Sequence, residues 1–160
     1  METALLVILA VLVTVALYWA FFTAQRLNRL HIRTDSAKLA LQAALDKRAA
    51  VVAAVEPSSQ AAAEAAEAIT LDYATFESRA NAEREISKAI AAMGEDLPPR
   101  VIDAQSRLQL AHRFYNDAVS DTRALRTRPM VRVLRLGGTA RLPEYFEFND
   151  FLPPAGRGND

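Results

Sequence analysis

Residues 3–24 (TALLVILAVLVTVALYWAFFTA) hold no charge, no proline and no glycine, and that run constrains the chain more than any other feature. At 1.5 Å rise per residue it makes a helix of about 33 Å, enough to cross a hydrocarbon core of about 30 Å. A cleaved signal peptide would need a basic start, a shorter apolar run and a small-x-small cleavage site. Here only the amino terminus and Glu2 precede the run, and Phe-Phe-Thr-Ala-Gln closes it. The segment is expected to be an uncleaved transmembrane anchor.

Flanking charge sets the expected orientation. Arg26, Arg29, Arg33 and Lys38 follow the run, with His31 among them, and no Lys or Arg precedes it. Positive flanks stay in the cytoplasm, so the N-terminus is expected outside and the body inside. Tyr18, Trp19, Phe21 and Phe22 gather at the same end, where aromatic rings settle at headgroup level. Arg26, Arg29, His31, Arg33 and Lys38 then form a basic collar under the membrane.

The remaining 136 residues suit one domain. No cysteine is present, which removes disulfides, thiolate metal sites and cysteine nucleophiles. A net charge of zero argues against a general nucleic-acid binder.

Periodicity predicts an all-α body of three long helices and a short fourth. A heptad through Leu27, Thr34, Leu41, Arg48 and Val55 continues the anchor without a breaker, so one helix is expected from Thr3 to Val55. Arg48 stands at a core-facing position, where Leu should be tolerated. Pro57-Ser58-Ser59 ends this helix. A second is expected from Gln60 to Met93, stopped by Gly94 and Pro98-Pro99. The third carries the stripe Val101, Ala104, Leu108, Ala111, Tyr115, Ala118, Thr122 and Leu125. Short connections make consecutive helices antiparallel. Three passes would put Gly94–Arg100 near the headgroups and start the C-terminal segment about 45 Å beyond the anchor. The expected organisation is a transmembrane helix at 3–24, an antiparallel helical bundle at 25–127, and an arginine- and aromatic-rich segment at 128–160.

That last segment has three readings, of which anionic lipid or nucleic acid is set aside, because the segment should start far from the membrane and carries no recognised nucleic-acid motif. From Thr122 to Pro143 there are six arginines and no acid, followed by four aromatics between Tyr145 and Phe151. One reading is a short helix capping the bundle, with the aromatics tucked into a groove. The other is a docking surface for a partner protein, since Arg, Tyr and Phe are favoured contact residues. Its candidates are Arg128, Arg132, Arg135, Arg141, Tyr145, Phe146, Phe148 and Phe151.

Three stretches resemble the LemA family of bacterial membrane proteins. They are the span followed by Asn28-Arg29-Leu30, the run RLQLAHRFYNDAV at 107–119, and the close of 129–147 in Leu-Pro-Glu-Tyr-Phe-Glu. The most specific is Arg113-Phe114-Tyr115-Asn116-Asp117-Ala118-Val119, with a weaker echo at Ala82-Glu83-Arg84-Glu85-Ile86-Ser87. The resemblance implies a single span in the bacterial inner membrane, N-terminus out, and a cytoplasmic antiparallel bundle. At Ala49–Val55 the chain departs from the family, lacking its usual proline and asparagine.

Enzymatic motifs are missing. A di-iron bundle needs Glu-x-x-His pairs, but Asn28 and Gln109 stand three before the two histidines. There is no His-Glu-x-x-His, P-loop, nucleophile elbow or dinucleotide loop. The expectation is a non-catalytic protein with no cofactor, no metal, no small-molecule substrate and no nucleic acid. It would act as a scaffold for protein partners at the membrane. The alternative is an accessory subunit of a larger membrane complex, for example a respiratory-chain assembly.

Overall fold

The computed structural model describes residues 1–134, 136 and 141–147. It is all-α: among the described residues there are helices, turns and extended segments, and no strand. The helices are α1 (Glu2–Val55), α2 (Gln60–Glu67), α3 (Phe76–Ala92), α4 (Pro99–Arg126) and α5 (Pro129–Val133). A single 3-10 turn, Pro57–Ser59, separates α1 from α2. The chain divides into two compact units. The first holds Met1–Thr34 with Ala118–Pro143, and the second holds Asp35–Asp117 with the residues from Glu144 onward.

In the first unit α1 is bare over its apolar stretch: Leu5 to Phe22 keep their large side chains exposed. Among the described residues this is the helix long and apolar enough to cross a membrane. Packing begins at Leu27, which joins Leu125 and Val131 in a small core flanked by Leu30 and Leu136. Two turns along, Thr34 and Thr122 bring their hydroxyls to 2.9 Å, one donating to the other. Each hydroxyl oxygen also lies 2.9 Å from a carbonyl of its own helix, Thr34 from Leu30 and Thr122 from Ala118, so the one that does not donate across donates back. Both threonines are thus buried and hydrogen-bonded.

The second unit is built from four helices. Ala49, Val52 and Ala53 of α1 meet Ala63 and Ala66 of α2, Ile86 and Ile90 of α3, and Val101 of α4 in one cluster. Small alanines on α1 and α2 allow close approach, while Ile86 and Ile90 fill the volume between.

The expected second helix is two helices. Ala68–Thr75 reverses the chain between α2 and α3. Neither glycine nor proline makes the break. The Thr75 hydroxyl donates to the Thr70 carbonyl (2.6 Å) and accepts from the Asp72 backbone N–H (2.9 Å), so the loop satisfies its own backbone. The Gln42 amide oxygen accepts from the Leu71 N–H (3.2 Å) and ties the loop to α1.

This extra reversal changes the course of everything after it. Arg79 pairs with Asp46, Glu83 with Arg48, and Ile90 packs with Val52. Helix α3 therefore runs the same way as α1, and α4 returns against it, with Gln105 at Arg48. The Gly94 turn lies at the Val55 end of α1, where Met93 and Leu97 pack on the Val52 cluster, and the three-pass reading puts it at the opposite end of the bundle. In the first unit α4 finishes with Ala118 and Thr122 on Thr34 and Leu125 on Leu27. The arginine-rich segment consequently starts beside the end of the anchor, where the three-pass reading placed it at the distal tip.

Gly94 follows α3 at φ +85° and donates its N–H to the Ala91 carbonyl (3.3 Å). A side chain there would meet nothing within 4 Å, so the cost of one is backbone strain alone. Gly94→Ala is expected to lower stability by about 1–2 kcal/mol, read from thermal unfolding in detergent. No change would mean the turn relaxes freely.

Candidate interaction site

Two places bring chemistry-bearing residues together, one in each unit. In the second unit the extended segment 144–147 lies in a groove of α3 and α4. Phe146 is 1% exposed and meets Phe76 edge-to-face at 5.2 Å, with His112 at 6.2 Å. Phe76 in turn meets Tyr115 at 6.1 Å and Tyr73 at 5.4 Å. Such perpendicular pairs suit the ring quadrupole and add to the area buried.

The backbone of the segment is held as firmly as the ring. The Phe146 N–H donates to Asn116 Oδ1 (3.1 Å), and its carbonyl lies 3.3 Å from Asn116 Nδ2 and 2.7 Å from His112 Nε2. The Tyr115 hydroxyl donates to the Glu144 carbonyl (2.6 Å). His112, Tyr115 and Asn116 share one face of α4 at spacings of three and four. The run 107–119 and the closing stretch are therefore in contact: Tyr115 and Asn116 of one hold Glu144 and Phe146 of the other. Tyr145 points away and stays 43% exposed, beside a cleft of about 310 Å³ lined by Phe76, Asn81, Arg84 and Glu147 among others.

Burial, followed by the neighbouring Tyr73 phenol and then the negative charges of Glu144 and Asp35, pushes the Tyr115 phenol above its ordinary value of 10.0. Tyr73 moves the same way, chiefly from burial. A phenol raised on folding stabilises the native state fully below the unfolded pKa, and that stability is lost as pH climbs beyond it. Urea unfolding midpoints are thus expected to hold to about pH 10 and to fall above it. Tyr115→Phe should flatten that decline; an unchanged slope would assign it to other groups.

The first unit gathers arginines. Arg26 and Arg29 stand exposed on α1, and Arg33 pairs with Asp121 at 2.9 Å. Arg123 donates to the Pro143 carbonyl and Arg126 to the Arg141 carbonyl, each at 2.9 Å; both bonds leave the cationic charge in place. Arg128 caps α5, whose Val131 is buried while Met130, Arg132, Val133 and Leu134 face outward. His31 is half-buried. Lys38 belongs to the second unit, 3.6 Å from Asp72 and 5.0 Å from the centre of the Tyr73 ring. Arg135, Phe148 and Phe151 lie outside the described residues.

No family model, curated protein or solved structure matches the chain.

The groove and the arginine cluster therefore stand on their own geometry. Of the expected partner contacts, Phe146 is occupied by its own bundle, while Arg128, Arg132, Arg141 and Tyr145 are exposed. Among the described residues no three His, Asp or Glu side chains gather as metal ligands would.

Beneath the groove lies an ion network that the sequence reading missed. Arg48 and Glu83 have fully buried side chains joined at 2.7 Å, and Arg48 also donates to Gln105 Oε1 (2.8 Å). Arg79, equally buried, donates to Glu83 Oε1 (2.8 Å), Asp46 Oδ1 (2.6 Å) and the Ile69 carbonyl (2.8 Å). Two guanidiniums thus face two carboxylates. A signal for it existed: Glu83 falls on the stripe Phe76, Ala80, Ile86, Ile90, and Arg48 on the α1 heptad. An acid and a base on facing core stripes mark a buried pair.

Proposed function

We propose that this chain is a single-span, membrane-anchored scaffold of the LemA type, non-catalytic, whose bundle presents surface to protein partners at the membrane. The observation that carries the reading is the bare apolar stretch Leu5–Phe22, since an exposed run of this length is stable only where lipid covers it. With Arg26, Arg29 and Arg33 directly after the run, the reading puts the N-terminus outside and the body in the cytoplasm of a bacterial inner membrane.

The chain has no cysteine, so single cysteines report topology without background. Glu2→Cys should react with an impermeant maleimide on intact cells, and Ser106→Cys only after lysis. The reverse pattern would overturn the orientation, and no dependence on lysis would overturn the span. Purification in mild detergent then tests the scaffold role. Soluble partners in the eluate support it; stoichiometric recovery of several integral-membrane subunits would replace it with an accessory-subunit role.

A further inference from the structure

Arg26, Arg29 and α5 lie close to the end of the apolar run. Val131 anchors α5 on Leu27, three residues beyond the apolar run and therefore about 4.5 Å along the helix axis. Headgroups occupy roughly 5–7 Å on either side of the hydrocarbon. The element that the three-pass reading sent far from the bilayer is thus brought to headgroup level by the reversal at Ala68–Thr75.

Its composition fits that place. Residues 25–34 and 118–143 contain nine arginines and a single acid, Asp121. Met130, Val133 and Leu134 are 57%, 76% and 48% exposed beside Arg128 and Arg132. No described part of the chain covers them. A short helix with one face tied to a transmembrane helix and the other bearing apolar tips among cations is an interfacial element. The tips reach into the acyl boundary and the guanidiniums bind phosphate oxygens.

We infer that α5, with Arg26, Arg29, Arg126, Arg128 and Arg132, forms a docking site for anionic phospholipid headgroups in the leaflet that the anchor leaves. Charge complementarity and direct continuity with the span identify the occupant. Because the span already secures attachment, the site sets how the first unit seats on the surface and selects for lipid charge. The inference rests on the membrane reading of residues 3–24.

Two reporters separate the inference from its premise. Trp19 is the single tryptophan and lies in the span, so quenching by brominated acyl chains reads insertion. A fluorophore on Val133→Cys reads the seating of α5 through its exposure to aqueous iodide. The full chain is placed in nanodiscs of phosphatidylcholine, or of phosphatidylcholine with phosphatidylglycerol, with Ser106→Cys as a label that should remain accessible throughout.

With Trp19 quenched in both discs, the Val133 label should be shielded in the anionic discs, open in the zwitterionic ones, and reopened by salt. Replacing Arg128 and Arg132 by Gln should reduce the seated-to-open ratio about fivefold per arginine. Equal accessibility in both discs with Trp19 quenched would overturn the lipid site and leave the anchor standing. Shielding in phosphatidylcholine alone, or in detergent without lipid, would also overturn it, since apolar insertion or protein contact would then be the cause. Trp19 left unquenched would remove the premise and the inference together.

Discussion

Glu83→Ala is expected to cost the fold about 3–5 kcal/mol, enough to unfold much of the second unit at ordinary temperatures. The carboxylate lies between two guanidiniums whose side chains are fully buried. Removing it leaves Arg48 without its 2.7 Å partner, while Arg79 keeps the Ile69 carbonyl and, as its one remaining carboxylate among the described contacts, Asp46, at the edge of the network with a side chain 36% exposed. An uncompensated buried charge is penalised far more than a matched pair is rewarded. Arg48→Leu should be damaging for the same reason, although its heptad position read alone would accept leucine. Circular dichroism of the full chain in detergent should show a melting midpoint lower by roughly 10 °C or more for either variant. A loss under about 1 kcal/mol would mean that water reaches the network and solvates what remains.

Phe146→Ala is expected to cost about 3–5 kcal/mol and Tyr145→Ala less than about 0.5 kcal/mol, although the two residues are adjacent. Phe146 fills the slot between Phe76 and His112, whereas Tyr145 lines the open cleft and stays 43% exposed. Protease sensitivity of the last residues gives a second readout, since loss of the ring should release the segment from Asn116 and Tyr115. Equal effects of the two substitutions would mean that the backbone hydrogen bonds, not the ring, hold the segment. If Tyr145→Ala instead removes a bound partner with stability unchanged, the exposed ring is a contact residue while its neighbour remains a structural one.

Helices were legible where periodicity was long and the stops were proline or glycine. Helix α1 ends at Val55 as its heptad predicts, and α4 buries Val101, Ala104, Leu108, Tyr115, Ala118, Thr122 and Leu125 as its stripe predicts. The reversal at Ala68–Thr75 was not legible. It is made by Asp72 and Thr75 bonding to their own loop, in a stretch where Ile69, Tyr73 and Phe76 keep a helical spacing. One missed turn inverted the direction of α3 and α4, and so displaced the arginine cluster from the end of the apolar stretch to the far tip. The groove was legible only in outline: its aromatics were expected to tuck in, but no spacing in the sequence names Asn116 and His112 as the residues that grip the Phe146 backbone.

The groove around Phe146 also has a history within each molecule. Phe146 follows Asn116, the last of the helix residues that hold it, by 30 residues, an interval of roughly 1.5–6 s at the usual pace of synthesis. The helices that carry Phe76 and Asn116 each form in about a microsecond. The slot is therefore built long before its occupant exists, and its filling is among the last events in the making of the bundle.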